Sequence, residues 1–539
     1  MPNHMNDQKN YQKEVIMIPA GDGARLKTII YKPADNRSSW PCVVERSPYQ
    51  FMLGFADNEA VTICGRGYAY VLQLCRGRLG SEGEWEPNVH ERADGLSLLR
   101  FLTEQPWVEN MGYKGLSYMA LCGWVMADAV PEKLKSMALA NYGCDRFTSA
   151  YSGGLFRHDI LTGWTMENAA FPITADYKQS CLYRPHLHVD TDLWGGEVPW
   201  YREWISNPDN ENGYWDTGFW AELRDVPSKI HIPIYLMEGW FDHHLESALQ
   251  SFARLPDATK AVSVLEVGPW NHIMLPAIDG YADAKNTACN RTNKLLDWFD
   301  LTVKQAAQPE GEIRFYRVGA DRWETAAAYP FPVEPLLRLG LDVDSGSKVL
   351  KESTSTAGTV SYTYNPNDPV PTIGAEALLT TAEQRGSKQQ PESDYRSDVC
   401  SFLSPPLEKA LDVRGRVKVR LCVASNAEDT AFCAKLCEVM PNGKAYNLRT
   451  MISSLAYRNG AEHRTPYTPG QFVELELESW DISWRFQKGS QIRLDLSSSD
   501  FPQYAAHPNS SVLWCEAESA EPAHQTVECS RSFLLLPLG

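Results

Sequence analysis

The stretch MGYKGLSYMALCGWV, residues 111–125, decides how the rest of the chain is read. A short strand ends in Gly115-Leu116-Ser117-Tyr118-Met119-Ala120, and an apolar segment with helical character follows. A serine on a sharp turn between strand and helix has its hydroxyl raised above the sheet. It also sits at a helix N-terminus, where backbone N–H groups stabilise negative charge. Such a turn needs small neighbours, because the backbone crowds the serine Cβ. Gly115 meets that need. Ala120 stands where a second glycine is usual, and alanine is the smallest side chain after glycine. Taken alone, G-x-S-x-A also fits an ordinary serine in a strand–turn–helix connection, so the flanking sequence has to separate the two readings.

Upstream, KTIIYKP, PCVVERSPY and YAYVLQLCRG read as strands ending in turns. ERADGLSLLRFLTEQPW reads as a helix, with Ala93, Leu96, Leu99 and Leu102 at helical spacing. The segment YMALCGWVMADAVPEKLKSMAL reads as a second helix. Strand and helix in alternation imply an α/β fold with a mostly parallel sheet covered on both faces. Between about residues 145 and 230 the alternation stops. Aromatic residues crowd this stretch, with helical pieces and no obvious strand, as in an inserted cap. The α/β pattern resumes at IPIYLMEGW and VSVLEVGPW and closes with the helix RTNKLLDWFDLTVKQ. Beyond about Phe331 the period drops to two. RVKVRLCVAS puts Val417, Val419, Leu421 and Val423 on one face, and QFVELELESW and SQIRLDLSSS also alternate, which suggests a β-sandwich or jelly roll. The polar run TTAEQRGSKQQPESDYRSD reads as a long loop. The expected units are therefore 1–144 and 231–330 for the α/β part, 145–230 for the cap and 331–539 for the jelly-roll domain.

A serine hydroxyl is a weak nucleophile near neutral pH and needs a base, which in turn needs an orienting acid. IPIYLMEGWFDHH supplies Asp242 after one apolar strand, and VSVLEVGPWNH supplies His272 after the next. They lie 30 residues apart, room for one helix, LESALQSFARL, and one strand. Each has a plainer reading: Asp242 as a helix cap, His272 as a structural loop histidine. The order Ser117, Asp242, His272, each just past a strand, favours the catalytic one.

The chain resembles the cocaine esterase / X-Pro dipeptidyl-peptidase group, which includes glutaryl acylases and α-amino-acid ester hydrolases. The resemblance runs from about Ile18 to the C-terminus. It rests on ERSPYQ, GYAYVLQLCRGRLGSEGEW, GLSYMA, GWFDHH, GPWNH, LDWFD, YNPNDPVPT and GSQIRLDLSSSDFP, in that order. It implies an α/β-hydrolase domain with an inserted helical cap and a C-terminal jelly-roll domain. Ser117, Asp242 and His272 fall on the family's triad positions. Tyr49, in SPY, falls on the tyrosine that donates to the oxyanion, with the Tyr118 N–H as the second donor; without the resemblance Tyr49 would read as a turn residue. Departures are Ala120, Leu74 where relatives often carry Asp, and the pair His243-His244 where many carry Gly and an apolar residue. The two histidines either line the acyl pocket or face solvent. The stretch FRHDILTGW is expected to bring His158 or Trp164 near the substrate.

The implied reaction is hydrolysis of an ester or amide through an acyl-Ser117 intermediate. An X-Pro-type peptidase would grip a free amine with acidic residues. Glu167, Asp176, Asp190, Asp192, Glu197 and Glu203 in the cap are candidates. Acyl transfer to an alcohol, including lactone formation, is a further reading. A catalytically silent binding or oligomerisation scaffold is the reading from another class, and the complete triad argues against it. No cofactor or metal is implied, since HERAD lacks the second histidine of H-E-x-x-H and reads as a helix start. The net charge of −17 argues against nucleic-acid and anionic membrane surfaces, leaving a small-molecule ester or amide as partner, with a homodimer possible. The polar N-terminal MPNHMNDQKNYQKE has no apolar core of a secretory signal. The 13 scattered cysteines read as reduced core residues of a cytoplasmic protein.

Overall fold

The computed structural model describes residues 10–211, 213–332, 335–352, 358–377 and 385–539. The first nine residues of the polar N-terminal segment and the start of the polar run at 380–384 lie outside these. Ten strands form one sheet: β1 Tyr11–Pro19, β2 Arg25–Pro33, β3 Trp40–Ser47, β4 Ala69–Leu74, β5 Val108–Leu116, β6 Leu134–Ala140, β7 Ile234–Phe241, β8 Val264–Asn271, β9 Glu312–Arg317 and β10 Arg322–Ala326. Their spatial order is β1-β2-β4-β3-β5-β6-β7-β8-β9-β10. From β4 across to β9 every neighbouring pair is parallel, and the edges at β1, β2 and β10 are antiparallel. Both faces of the central strands are buried, which is why β3, β4 and β7 read as continuous apolar runs.

Two elements differ from the sequence reading, each for a physical reason. The helix after Ser117 ends at Trp124, and LKSMALA beyond Pro131 is strand β6. A short apolar run with both faces buried has no period that separates strand from helix. The helix Glu91–Thr103 buries Leu98, Leu99 and Leu102, but Ala93 is exposed and the carboxylates of Glu91 and Asp94 point inward. Arg46 meets Glu91 at 2.6 Å and Arg76 meets Asp94 at 2.7 Å, so the charges are taken inside as pairs. This turns the buried face away from the purely apolar one.

Between β6 and β7 the chain forms short helices, among them Phe147–Ala150, Leu161–Asn168, Tyr177–Leu182, Pro199–Ser206 and Gly218–Asp225. It also makes a two-residue ladder, Tyr151–Ser152 against Leu155–Phe156, that alternation could not reveal. The C-terminal part is rich in strands, twelve of them in one hydrogen-bonded sheet. Its longest pair is Leu411–Ser425 against Val473–Phe486, and Val417, Val419, Leu421 and Val423 are buried along one face. Within the polar run, the described residues include a short strand at Gln389–Gln390.

The insert is tied to this β-rich part by backbone contact. Ser454 N donates to Gly153 O at 2.9 Å, Ala505 N to Phe156 O at 2.8 Å and Leu187 N to Cys515 O at 2.8 Å. A Cβ on Gly154 would lie 2.1 Å from the Tyr457 ring, so only glycine permits this approach. All 13 cysteines are buried and unbridged. No helix among the described residues is long and apolar enough to cross a membrane.

Candidate active site

The residues singled out from the sequence converge at the C-terminal ends of the parallel strands, the edge where open α/β sheets bind ligands. Ser117 follows β5, Asp242 follows β7 and His272 follows β8. Asn141, just past β6, donates to the His272 carbonyl at 2.6 Å. Tyr49 lies two residues beyond β3. Each neighbouring strand from β5 to β8 thus sends one side chain to the same place.

Ser117 has φ 59° and ψ −130°, a backbone conformation an L-residue rarely takes. Its N–H donates to Ala140 O at 2.9 Å, and its carbonyl accepts from Ala120 and Leu121 at 2.8 and 3.0 Å. Those bonds hold the turn in place. A Cβ on Gly115 would lie 2.3 Å from the Met119 carbonyl oxygen, so the first small residue of the motif is required. Ala120 is fully buried with its methyl group accommodated.

Ser117 Oγ and His272 Nε2 are 2.9 Å apart, and His272 Nδ1 lies 2.6 Å from Asp242 Oδ2. The other carboxylate oxygen of Asp242 accepts from His244 N at 2.6 Å. The acid is fully buried and His272 nearly so. A hydroxyl, an imidazole and a carboxylate in series can move a proton off the serine and balance the imidazolium that results. Four residues back, on β7, Glu238 is also fully buried, and burial together with the neighbouring Asp242 charge holds its carboxyl well above the usual range. A like charge nearby in a buried site favours the protonated form of Glu238.

The cavity above Ser117 is narrow, about 20 Å³, room for roughly one water. It is lined by Tyr49, Asn88, Tyr118, Tyr142 and the His243-His244 pair from the sheet side, and by Arg146, Ile160, Trp164 and Trp204 from the insert. Larger open grooves occur elsewhere, such as one beside Phe252 and Tyr329, but none of the Ser117, Asp242 and His272 constellation lines it. Trp164 Nε1 donates to the Tyr49 hydroxyl oxygen at 2.9 Å. That bond occupies an acceptor site on the phenol and leaves its O–H free to donate. Burial raises the Tyr49 phenol, against the opposing pull of the Trp164 N–H, so it remains a protonated donor at neutral pH. Tyr118 opens the helix Tyr118–Trp124, where the first N–H groups have no partner within the helix. Its ring stacks on Trp164 at 5.8 Å, and its hydroxyl donates to the buried Glu91 at 3.0 Å.

His243 and His244 are both buried and line the cavity, which removes the solvent-facing alternative. His243 lies 4.2 Å from His272, ring to ring, and neither of its ring nitrogens has a hydrogen-bond partner among the described residues. His244 Nδ1 is 2.7 Å from Ser149 Oγ. Burial holds both well below the usual imidazole range. The charges of Arg146 and His272 press His244 the same way. They are neutral walls, not cations.

His158 is elsewhere. It is fully buried, bonds Thr162 Oγ1 at 2.7 Å, and packs edge-on against His186, Phe501 and Trp514 where the insert meets the β-rich part. The stretch FRHDILTGW therefore divides, with Trp164 in the cavity and His158 in the packing behind it. None of the six acidic candidates of the insert lines the cavity. Asp190 pairs with Arg202 at 2.9 Å, Asp192 accepts from the Tyr183 hydroxyl, and Asp176 caps Gln179 N. Arg146, Tyr142, Asn88, Ile160 and Trp204 were not foreseen. For Tyr142, Arg146, Ile160 and Trp204 the only sequence signal is position in or beside an aromatic-rich insert, and Asn88, in the loop before the helix Glu91–Thr103, has none.

Residues 22–274 match the family model "X-Pro dipeptidyl-peptidase (S15 family)", and residues 301–532 match that of the X-Pro dipeptidyl-peptidase C-terminal non-catalytic domain. The cocaine esterase of Rhodococcus sp. (strain MB1 Bresler) is 28% identical over 538 residues, with 92% of each chain covered. An α-amino acid ester hydrolase superposes on the whole of this chain and 98% of its own, with a TM-score of 0.84 at 20% identity. An aminopeptidase from the marine sediment archaeon Thaumarchaeota archaeon gives the same figures. These two structures share the fold, an α/β-hydrolase domain followed by a strand-rich domain. With both family models matched in order along the chain and the esterase relative aligned across both, the protein belongs to the cocaine esterase / X-Pro dipeptidyl-peptidase family of serine hydrolases.

Proposed function

We propose that this chain hydrolyses small-molecule carboxylic esters through an acyl-Ser117 intermediate. His272 takes the Ser117 proton as Oγ attacks the carbonyl carbon, then gives that proton to the departing alcohol. Asp242 holds the imidazole tautomer and stabilises its cation. The Tyr49 hydroxyl and the Tyr118 N–H receive the oxyanion. Water, deprotonated by His272, then attacks the acyl-enzyme and releases the acid. The observation that carries this reading is the unbroken series Ser117 Oγ–His272 Nε2, His272 Nδ1–Asp242 Oδ2, built at a strand–helix turn with a left-handed serine.

Ester cleavage is favoured over X-Pro peptidase action by the charge of the cavity. A free substrate amine needs an acidic grip, and the charged side chain lining this cavity is a guanidinium, Arg146. The test is intact mass after a fluorophosphonate, on the wild type and Ser117→Ala, followed by a panel of alkyl and aryl esters and X-Pro anilides. A single adduct on the wild type, none on the variant, and turnover of esters over anilides are expected. A well-folded wild type that takes no adduct would overturn the assignment of Ser117, and preference for the anilides would overturn the substrate class.

A further inference from the structure

Two clusters among the described residues bring three metal-ligating side chains within reach of one ion: Cys75, Glu91 and Cys122, and Asp242, His243 and His272. In the first, the Glu91 carboxylate is already held by Arg46 at 2.6 Å and by the Tyr118 hydroxyl at 3.0 Å. A cation there would have to displace a guanidinium. The second cluster differs. His243 is 1% exposed, and neither of its ring nitrogens has a hydrogen-bond partner among the described residues. Buried polar atoms are normally partnered, so an imidazole left bare on both nitrogens points to a ligand. A neutral imidazole takes a metal through the lone pair of one nitrogen.

One ligand atom from each of Asp242, His243 and His272 lies within 4.8 Å of the other two. Around a tetrahedral zinc ion, with bonds of about 2.0–2.1 Å, neighbouring ligand atoms stand about 3.3 Å apart, so small side-chain rotations complete the set. Two imidazoles and a carboxylate suit zinc, whereas magnesium takes oxygen ligands. Of the three residues, His243 is the one that lines the cavity above Ser117, so an ion entering there meets it first.

We propose that Asp242, His243 and His272 form an inhibitory zinc site, through which zinc switches the enzyme off reversibly. Whichever nitrogen of His272 the ion takes, the base is lost. At Nε2 the metal uses the lone pair that receives the Ser117 proton. At Nδ1 it leaves the single ring proton on Nε2, which then no longer accepts. The inhibition rests on the acyl-Ser117 reading; the binding of zinc does not. The experiment titrates zinc chloride into chelator-treated wild type. It reads p-nitrophenyl ester turnover, fluorophosphonate labelling of Ser117, and bound zinc by equilibrium dialysis. Micromolar zinc should suppress turnover and labelling together, a chelator should restore both, and magnesium at the same concentration should do neither. Loss of an outer partner alone commonly lowers metal affinity about 10–100-fold, so His243→Phe, which loses a ligand, should need about 100-fold more zinc for half-inhibition of its own zinc-free rate. It should also bind one zinc fewer than the wild type. His243→Leu repeats the measurement in case the phenyl ring disturbs packing. Turnover unaffected by zinc in the wild type, or equal zinc sensitivity in the wild type and both variants, would overturn the proposal. A wild type that takes no label even without zinc would instead remove the acyl-Ser117 reading, and the zinc count of wild type against variants would still decide the site.

Discussion

The wall of the cavity that carries Ser117, Asp242 and His272 and the wall that carries Arg146, Ile160, Trp164 and Trp204 are built from different kinds of structure. The first is a row of strand ends in a parallel sheet, each fixed by ladder hydrogen bonds to its neighbours. The second is a set of short helices and turns, held through aromatic packing and contacts to the C-terminal strands. A row of strand ends repeats its geometry at each step, so a reacting constellation placed there is rigid. An irregular wall has no repeat, so its residues can change without altering the sheet. The comparison places the proposed chemistry on the sheet and the proposed selection of substrate on the insert.

The strongest way to break that comparison is Asp242→Asn. The amide leaves the shape of the sheet wall intact but supports the wrong His272 tautomer, and kcat should fall about 10⁴-fold with KM little changed. A small loss measured on a simple aryl ester would show that the constellation does not act as a unit. Next is Tyr49→Phe. It removes one oxyanion donor and should cost about 10²-fold in kcat. Trp164→Phe links the two walls, since its indole N–H orients the Tyr49 hydroxyl. Loss of one neutral hydrogen bond predicts a fall of about fivefold in kcat. An effect as large as that of Tyr49→Phe would mean that the insert shares in the chemistry.

The smallest expected effect on rate is that of Glu238→Gln, a neutral replacement for a carboxyl that already holds its proton. Activity at pH 7 should stay within about twofold of wild type, against the large loss for Asp242→Asn four residues on. Stability should respond instead. The folded carboxyl keeps its proton above the unfolded value of 4.5, so wild-type stability is fullest below that pH and declines as pH rises through the folded value. Glu238→Gln removes that decline. Thermal unfolding should show the variant gaining on the wild type at pH 8 and the gain vanishing near pH 4.5.

The two walls also differ in how far sequence alone reveals them. Strand alternation, the G-x-S-x-A turn and the order of Ser117, Asp242 and His272 are local patterns, and each one maps to a position on the sheet. The helix Glu91–Thr103 was legible as a helix but not in its facing, because Arg46 and Arg76 draw Glu91 and Asp94 inward against the apolar period. Strand β6 was hidden in an apolar run that serves either structure. His158 and Trp164 stand six residues apart in one motif, yet one packs behind the cavity and the other lines it. Arg146 had no pattern at all. What distinguishes it is the absence of an ion-pair partner among the described residues, and that is a property of three-dimensional neighbours rather than of spacing.

The backbone bonds from Gly153, Phe156 and Leu187 to the C-terminal part have a consequence for how such an enzyme diversifies. The segment that carries Ile160 and Trp164 into the cavity lies between the second and third of those bonds. A change in the C-terminal strands can therefore tilt that segment and reshape the pocket while leaving every reacting atom in place. A domain that does no chemistry can thus be the part through which a lineage acquires new substrates.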